Sequence, residues 1–112
     1  SLYYKFFLNG KKRVPTNIKL SPLVLAVWFL DDGSKSRTSV YLNTQQFSLE
    51  EQKLLCKMLY EQWEIKTTLN KDKQYLRIRI RVSSIEKFVA LIKPYLLSQF
   101  YYKLPIDSLR PQ

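Results

Sequence analysis

LSPLVLAVWFLDDGS, residues 20–34, is the stretch that decides the fold. Ser21 is a good helix N-cap and Pro22 suits a first helical turn. The run from Pro22 to Asp32 is therefore expected to be a helix that stops at Gly33, a C-terminal glycine. Every residue between Pro22 and the two aspartates is apolar. A helix apolar on all sides has to be covered on all sides. One face can pack on the chain's own sheet. The other asks for a second body, which Ala26 would let approach closely; a buried core helix in a monomer is the plainer alternative. Asp31 and Asp32 fall where the helix macrodipole is negative, a placement that costs a few tenths to ~1 kcal/mol per carboxylate. Lys or Arg would serve stability better there, so two acids point to a bound cation. Adjacent helical residues diverge, so the pair does not readily chelate one ion together. One of them is expected to meet a carboxylate from another helix.

Outward from this helix, Ser34 to Arg37 reads as a polar turn and Thr38 to Gln45 alternates like a strand, with Val40 and Leu42 on one side. Ser48 with Glu51 spells a capping box, and an amphipathic helix follows to about Trp63. Glu64 to Leu69 reads as a strand, Asn70 to Lys73 as a hairpin turn, and Gln74 to Val82 as a strand of period two. Ser83 with Glu86 is a second capping box, opening a helix that Pro94 kinks or ends. The expected order is α-β-α-β-β-α, an α+β fold with a largely antiparallel sheet. Before it, Leu2 to Leu8 is an aromatic segment closed by Asn9-Gly10 and the basic run Lys11-Lys12-Arg13. LYYKFFLNGKKRVP near the start is echoed by YLLSQFYYKLP near the end: an aromatic segment, a lysine, then an aliphatic residue and proline. The expected division is a tail over 1–16, one module over 17–105 and a loose tail over 106–112.

The strands carry the second constellation. Leu76, Ile78, Ile80 and Val82 alternate with Arg77, Arg79 and Arg81. Arginines in a row on one strand face repel one another unless a polyanion faces them, and they suit phosphates or guanine edges. Opposite Val40 and Leu42 lie Ser39, Tyr41, Asn43 and Gln45; Asn and Gln can bond adenine in a bidentate way. Lys66 and Thr68 extend the face from the next strand with Glu64 as its one acid, and Lys71 and Lys73 add charge at the turn. A β-ribbon of this kind fits a major groove.

Composition agrees. In 112 residues there are 19 Lys and Arg against 9 Asp and Glu, a net charge of +10. That excess points to nucleic acid first and an anionic membrane surface second. With 46% hydrophobic residues the chain is no disordered basic tail. Histidine is absent, which excludes serine–histidine and cysteine–histidine triads and histidine metal sites. The lone Cys56 makes no internal disulfide. Any catalysis has to use carboxylates, amides, lysines and a hard metal held by oxygen. The apolar run Leu23 to Leu30 is far shorter than the ~20 residues of a membrane span, and no signal peptide is legible.

The stretch from Leu25 to Gly33 resembles the signature helix of the LAGLIDADG homing endonucleases. Leu25, Ala26, Asp32 and Gly33 match; Val27 replaces a glycine, Leu30 replaces the first acid, and Asp31 takes a usually small position. The DDG ending, VYLNTQQFSLEE, LIKPYL and YYKLP are similar to the second repeat of two-repeat members found in organelle introns. The resemblance implies a β-saddle packed on helices and a Mg²⁺- or Mn²⁺-dependent double-strand DNA endonuclease. Asp32 matches the metal-binding aspartate with Asp31 beside it, Asn70 a polar residue beside the metals, and Lys12 and Lys103 the basic residues flanking the scissile phosphates. It also implies pairing of signature helices, in a homodimer or with a separate first-repeat chain, and residence in a mitochondrion or chloroplast. On this resemblance residues 1–16 look like the end of a preceding repeat. Two rivals share the basic sheet: a non-cleaving maturase that binds intron RNA, and a structural nucleic-acid-binding subunit.

Overall fold

The computed structural model describes residues 18–36 and 39–105. Its elements run α1 (Pro22–Asp32), β1 (Gly33–Lys35), β2 (Val40–Leu42), α2 (Leu49–Trp63), β3 (Thr67–Asp72), β4 (Tyr75–Ile80) and α3 (Val82–Ile92). Two 3₁₀ segments follow, Lys93–Tyr95 and Ser98–Lys103. The four strands form one sheet in the order β1-β2-β4-β3, antiparallel throughout. The α+β class and the antiparallel sheet are as expected from the sequence.

The helix ends follow their capping chemistry. Ser21 Oγ accepts from the Val24 amide at 3.2 Å. Ser48 and Glu51 form the full capping box, at 3.1 and 3.2 Å. The entry to α1 is fixed from α2: Gln62 accepts from the Leu20 amide and donates to the Ile18 carbonyl, and Trp63 Nε1 donates to the Leu20 carbonyl. The core beneath the sheet is built from Leu25, Trp28 and Phe29 of α1, Leu55 and Leu59 of α2, Ile78 and Ile80 of β4, and Phe88 and Ile92 of α3. Phe88 meets Phe29 edge-on at 5.9 Å between centroids.

Several boundaries differ from the sequence reading. The segment after Asp32 is a strand, β1, whereas Arg37 and Thr38, the expected end of the turn and start of the next strand, lie outside the described residues. Strand β2 keeps only Val40–Leu42 because the chain then turns inward. Thr44 is buried, its hydroxyl donating to Gln52 Oε1 at 2.7 Å and accepting from the Ile78 amide at 3.2 Å. Gln52, 2% exposed, also donates to the Phe47 carbonyl at 3.2 Å. Gln52→Ala removes the side-chain donor to the Phe47 carbonyl and the shorter acceptor of the Thr44 hydroxyl, leaves a void, and is expected to cost about 2–3 kcal/mol. A urea midpoint unchanged from wild type would show that this network contributes nothing.

Strand β3 starts later than expected. Glu64 is the left-handed C-cap of α2 (φ 55°), so it belongs to no strand face. The strand runs on through Asn70 and Lys71 to Asp72, and the hairpin turn shrinks to Lys73 (φ 59°) and Gln74. Strand β4 ends at Ile80. Arg81 is the N-cap of α3, and Val82, expected on the apolar face, is 61% exposed on that helix. The Ser83–Glu86 capping box does not form: α3 has no side-chain cap, and Ser84 is turned inward to accept from the Lys66 amide at 2.9 Å. Ala26 is 1% exposed within the chain's own core, so it offers nothing to a second body.

Candidate nucleic-acid interface and carboxylate site

Directly paired strand residues share a face. One row across the sheet is Ser34, Tyr41, Arg79 and Thr68. Asn43, Arg77 and Asn70 belong to the adjoining row: Asn70 pairs with Arg77, which donates to Asn43 Oδ1 at 3.3 Å. The opposite face carries Leu42, Ile78 and Leu69, and it rests on the helices. The sheet therefore has the polar, basic face that the alternation of Arg77 and Arg79 required.

That face is ordered by its own bonds. Arg79 Nε and Nη2 both donate to the buried Ser39 Oγ, at 3.1 and 2.9 Å. The Arg77 guanidinium stacks on the Tyr41 ring, 3.7 Å from its centroid, and its Nε is buried with no hydrogen-bond partner among the described residues. Asn43 donates to Ser34 Oγ at 3.2 Å, and Gln45 donates to Asp72 Oδ2 at 3.0 Å. Among the described residues no carboxylate pairs with Arg77, Arg79 or Arg81; the ion pairs Lys57–Glu61 and Lys87–Glu64 lie elsewhere. Held arginines lose little conformational entropy when a ligand arrives.

Four assignments on this surface change. Lys66 precedes β3, which begins at Thr67, and lines a pocket beside α2 instead of the strand face. Lys71 pairs with Leu76, which places it on the face opposite the arginines. Arg81 has left the strand. The acid on the polar face is Asp72, by alternation from Thr68 and Asn70, and Glu64 is not part of it. Asp72 was legible in principle, since Thr68, Asn70 and Asp72 keep period two once the strand is allowed to continue through polar residues. Ser34 was missed because its segment was read as a turn.

The other site lies where α1 ends. Asp31 is exposed and Asp32 half-buried. Burial pushes the Asp32 carboxyl above its ordinary value, the neighbouring Asp31 charge adds to this, and Lys103 opposes it. The basic partner that the last turn of α1 lacks comes from far along the chain. Lys103 Nζ donates to the carbonyls of Leu30 and Phe29 at 2.8 and 3.3 Å. Lys35 Nζ donates to the Leu104 carbonyl at 3.0 Å and so ties β1 to the segment that carries Lys103. On the other side, the Asp32 carbonyl accepts from the Asn43 amide at 2.8 Å, which joins the helix end to the basic sheet.

The structure thus brings Asp31, Asp32 and Lys103 together. Asn70 is not beside them, because Asn43 and Arg77 intervene across the sheet. Lys12 lies outside the described residues. No three of His, Cys, Asp and Glu converge among the described residues. A hard divalent ion wants six or more oxygens. One chain offers a half-buried carboxylate at a negatively polarised helix end, which fits part of such a site and asks for the remainder from elsewhere.

Beside that end, α1 keeps a partly covered apolar stripe. Leu25, Ala26, Trp28 and Phe29 face the core, whereas Leu23 is 53% exposed and Val27 and Leu30 are only partly covered. No helix among the described residues is long and apolar enough to cross a membrane.

Fold and site together define a class: an α+β module with an ordered basic sheet for a polyanion and a carboxylate-bearing helix end beside it. Comparison with known proteins narrows the class. The chain belongs to the LAGLIDADG DNA endonuclease family, whose sequence pattern matches residues 1–88. It is 38% identical over 108 residues to the cytochrome b mRNA maturase bI2 of Debaryomyces hansenii, covering 92% of this chain and 41% of that protein. To the intron-encoded endonuclease ai4 of Dictyostelium discoideum it is 31% identical over 111 residues, 92% of this chain and 69% of the relative. The solved structure of the homing endonuclease I-WcaI bound to its DNA recognition sequence matches with a TM-score of 0.79 at 30% identity, over 90% of this chain and 49% of I-WcaI. The chain thus spans less than half of the maturase and about half of I-WcaI.

Proposed function

We propose that this chain is one half of a divalent-metal-dependent, site-specific double-strand DNA endonuclease, acting by phosphodiester hydrolysis when paired with a second module of the same fold. The observation that carries this is Asp32, a half-buried acid with a raised carboxyl pKa at the end of a helix whose outer apolar stripe is only partly covered, with Leu23 53% exposed. A second helix laid on that stripe would bring its own carboxylate to the same place. The ordered arginine face supports duplex DNA as the substrate, as does the likeness to a homing endonuclease solved with DNA.

Asp32, with Asp31 beside it, would hold the Mg²⁺ or Mn²⁺ ion. When bound, such an ion polarises the phosphodiester and lowers the pKa of a nearby water. The chain's own groups do the rest. Lys103, anchored on the α1 carbonyls, supplies positive charge next to the carboxylates, and Lys12 is proposed for the same role from the preceding segment. Arg77 and Arg79 fix the duplex by phosphate or guanine contacts. Their loss is expected to weaken duplex binding by about 1–3 kcal/mol each if they read guanine, with little effect on unfolding. A large fall in stability with unchanged DNA affinity would reverse the assignment of sheet faces. The activity itself is tested by incubating the chain with a randomised duplex library in Mg²⁺ or EDTA, with and without a candidate first-repeat chain. Site-specific breaks that need Mg²⁺ are expected.

A second reading is favoured by the relatives named cytochrome b mRNA maturase: binding of intron RNA without cleavage. Library binding without breaks under any pairing would select it. The same names support an origin in an organelle intron.

A further inference from the structure

At the edge of the sheet farthest from Asp32, an open pocket of about 410 Å³ lies between α2 and β3. It is lined by Cys56, Lys57 and Tyr60 of α2, by Ile65, Lys66 and Thr67 leading into β3, and by Arg81 at the N-cap of α3. Two of its cations, Lys66 and Arg81, are exposed and pair with no carboxylate among the described residues. The third, Lys57, makes a loose exposed pair with Glu61 at 3.8 Å. Backbone bonding sets Lys66 and Arg81 side by side, since the Arg81 amide donates to the Lys66 carbonyl at 2.9 Å. The first turn of α3 holds no acid and no side-chain cap, so its positive end reinforces theirs. On the rim stands Tyr60, 53% exposed. A large aromatic beside adjacent cations, unused by the core, matches what an unstacked nucleotide requires: charge for the phosphate and a ring for the base.

We propose that this pocket binds a nucleotide of single-stranded nucleic acid, its phosphate on Lys66 and Arg81, with Lys57 assisting, and its base on Tyr60. The site is separate from the arginine face and does not depend on cleavage. Duplex DNA keeps its bases stacked and cannot supply such a ring partner. RNA and single-stranded DNA share the chemistry, and the test separates them.

The test measures fluorescence anisotropy of the full chain with three labelled probes of random sequence: a short RNA, the matching single-stranded DNA and a duplex DNA. Lys66→Ala/Arg81→Ala is expected to weaken binding of a single-stranded probe at least tenfold. It should also flatten the dependence of log affinity on log salt by about 0.7, the value for one lost phosphate contact on a single strand. Tyr60→Ala should weaken the same probe at least fivefold, and Tyr60→Phe should restore it. Duplex binding should stay within about twofold in all three variants, which also shows that they remain folded. The single-stranded probe that responds more identifies the physiological strand. Equal losses for duplex and single strands would overturn the proposal, because the residues would then only extend the duplex footprint. Unchanged single-strand binding would overturn it as well.

Discussion

Asp32→Asn is expected to abolish cleavage in the assembled enzyme while leaving duplex affinity nearly unchanged. On the proposed reading, affinity comes from the arginine face across the sheet, whereas a hard cation is held by carboxylate charge, which an amide lacks. Asp31→Asn should be much milder, because Asp31 is exposed and Asp32 is the acid held half-buried at the α1 end beside Lys103. The same variant has a signature in the metal-free chain. The Asp32 carboxyl is pushed above its ordinary value of 3.8, first by burial and then by Asp31. A group whose folded pKa is raised stabilises the fold while protonated and loses that contribution as pH rises. Ionised Asp32 therefore opposes folding at neutral pH, and Asp32→Asn should be more stable than wild type there, by a few tenths to ~1 kcal/mol. Near pH 3 the two should converge. Cleavage rates against Mg²⁺ and urea titrations at both pH values check this. Loss of activity in Asp31→Asn with survival in Asp32→Asn would mean that the register of the signature helix is wrong.

Gly33→Ala is expected to be severely damaging for the addition of a single methyl group. Gly33 has an extended backbone (φ −81°, ψ 149°), which any residue can adopt. Its need for glycine is steric. A Cβ there would lie 2.3 Å from the Phe29 carbonyl oxygen and 2.4 Å from Phe29 Cδ1. Neither can retreat: the oxygen accepts from the Gly33 amide and from Lys103, and the ring is fully buried. A cost of about 2–3 kcal/mol is expected from overpacking. Activity should fall further than stability, because the α1 end that carries Asp32 must move. Matched thermal unfolding and cleavage assays measure both, and an Ala variant as stable as wild type would show that this corner relaxes.

The role of Gly33 marks the boundary of what the sequence made legible. Helix α1 could be delimited to the residue, because Ser21, Pro22 and Gly33 each carry strong local chemistry. The glycine is legible in the sequence as a helix terminator, yet what requires it is the approach of Phe29, a contact no local pattern reveals. Helix α2 was equally clear from its capping box. The strands were less clear because their pairing is non-local: β3 continues through Asn70 and Asp72 only because β4 lies beside it, and β1 exists only because β2 returns. At the site, Asp32 and the arginine face were visible as departures from what stability alone would choose. The seating of Lys103 on the carbonyls of α1 was not, since 71 positions separate it from Asp32 (103 less 32). Its assignment came from the family resemblance, and the tie through Lys35 was not anticipated at all.

On the proposed reading, one chain supplies half of a shared carboxylate site. The most direct measurement is cleavage rate per chain against chain concentration in Mg²⁺, with sedimentation on the same samples. Activity is expected only with a homodimer or with a complex containing a first-repeat chain, rising as that species forms. A well-behaved monomer that cleaves duplex DNA at a rate per chain independent of concentration would contradict it.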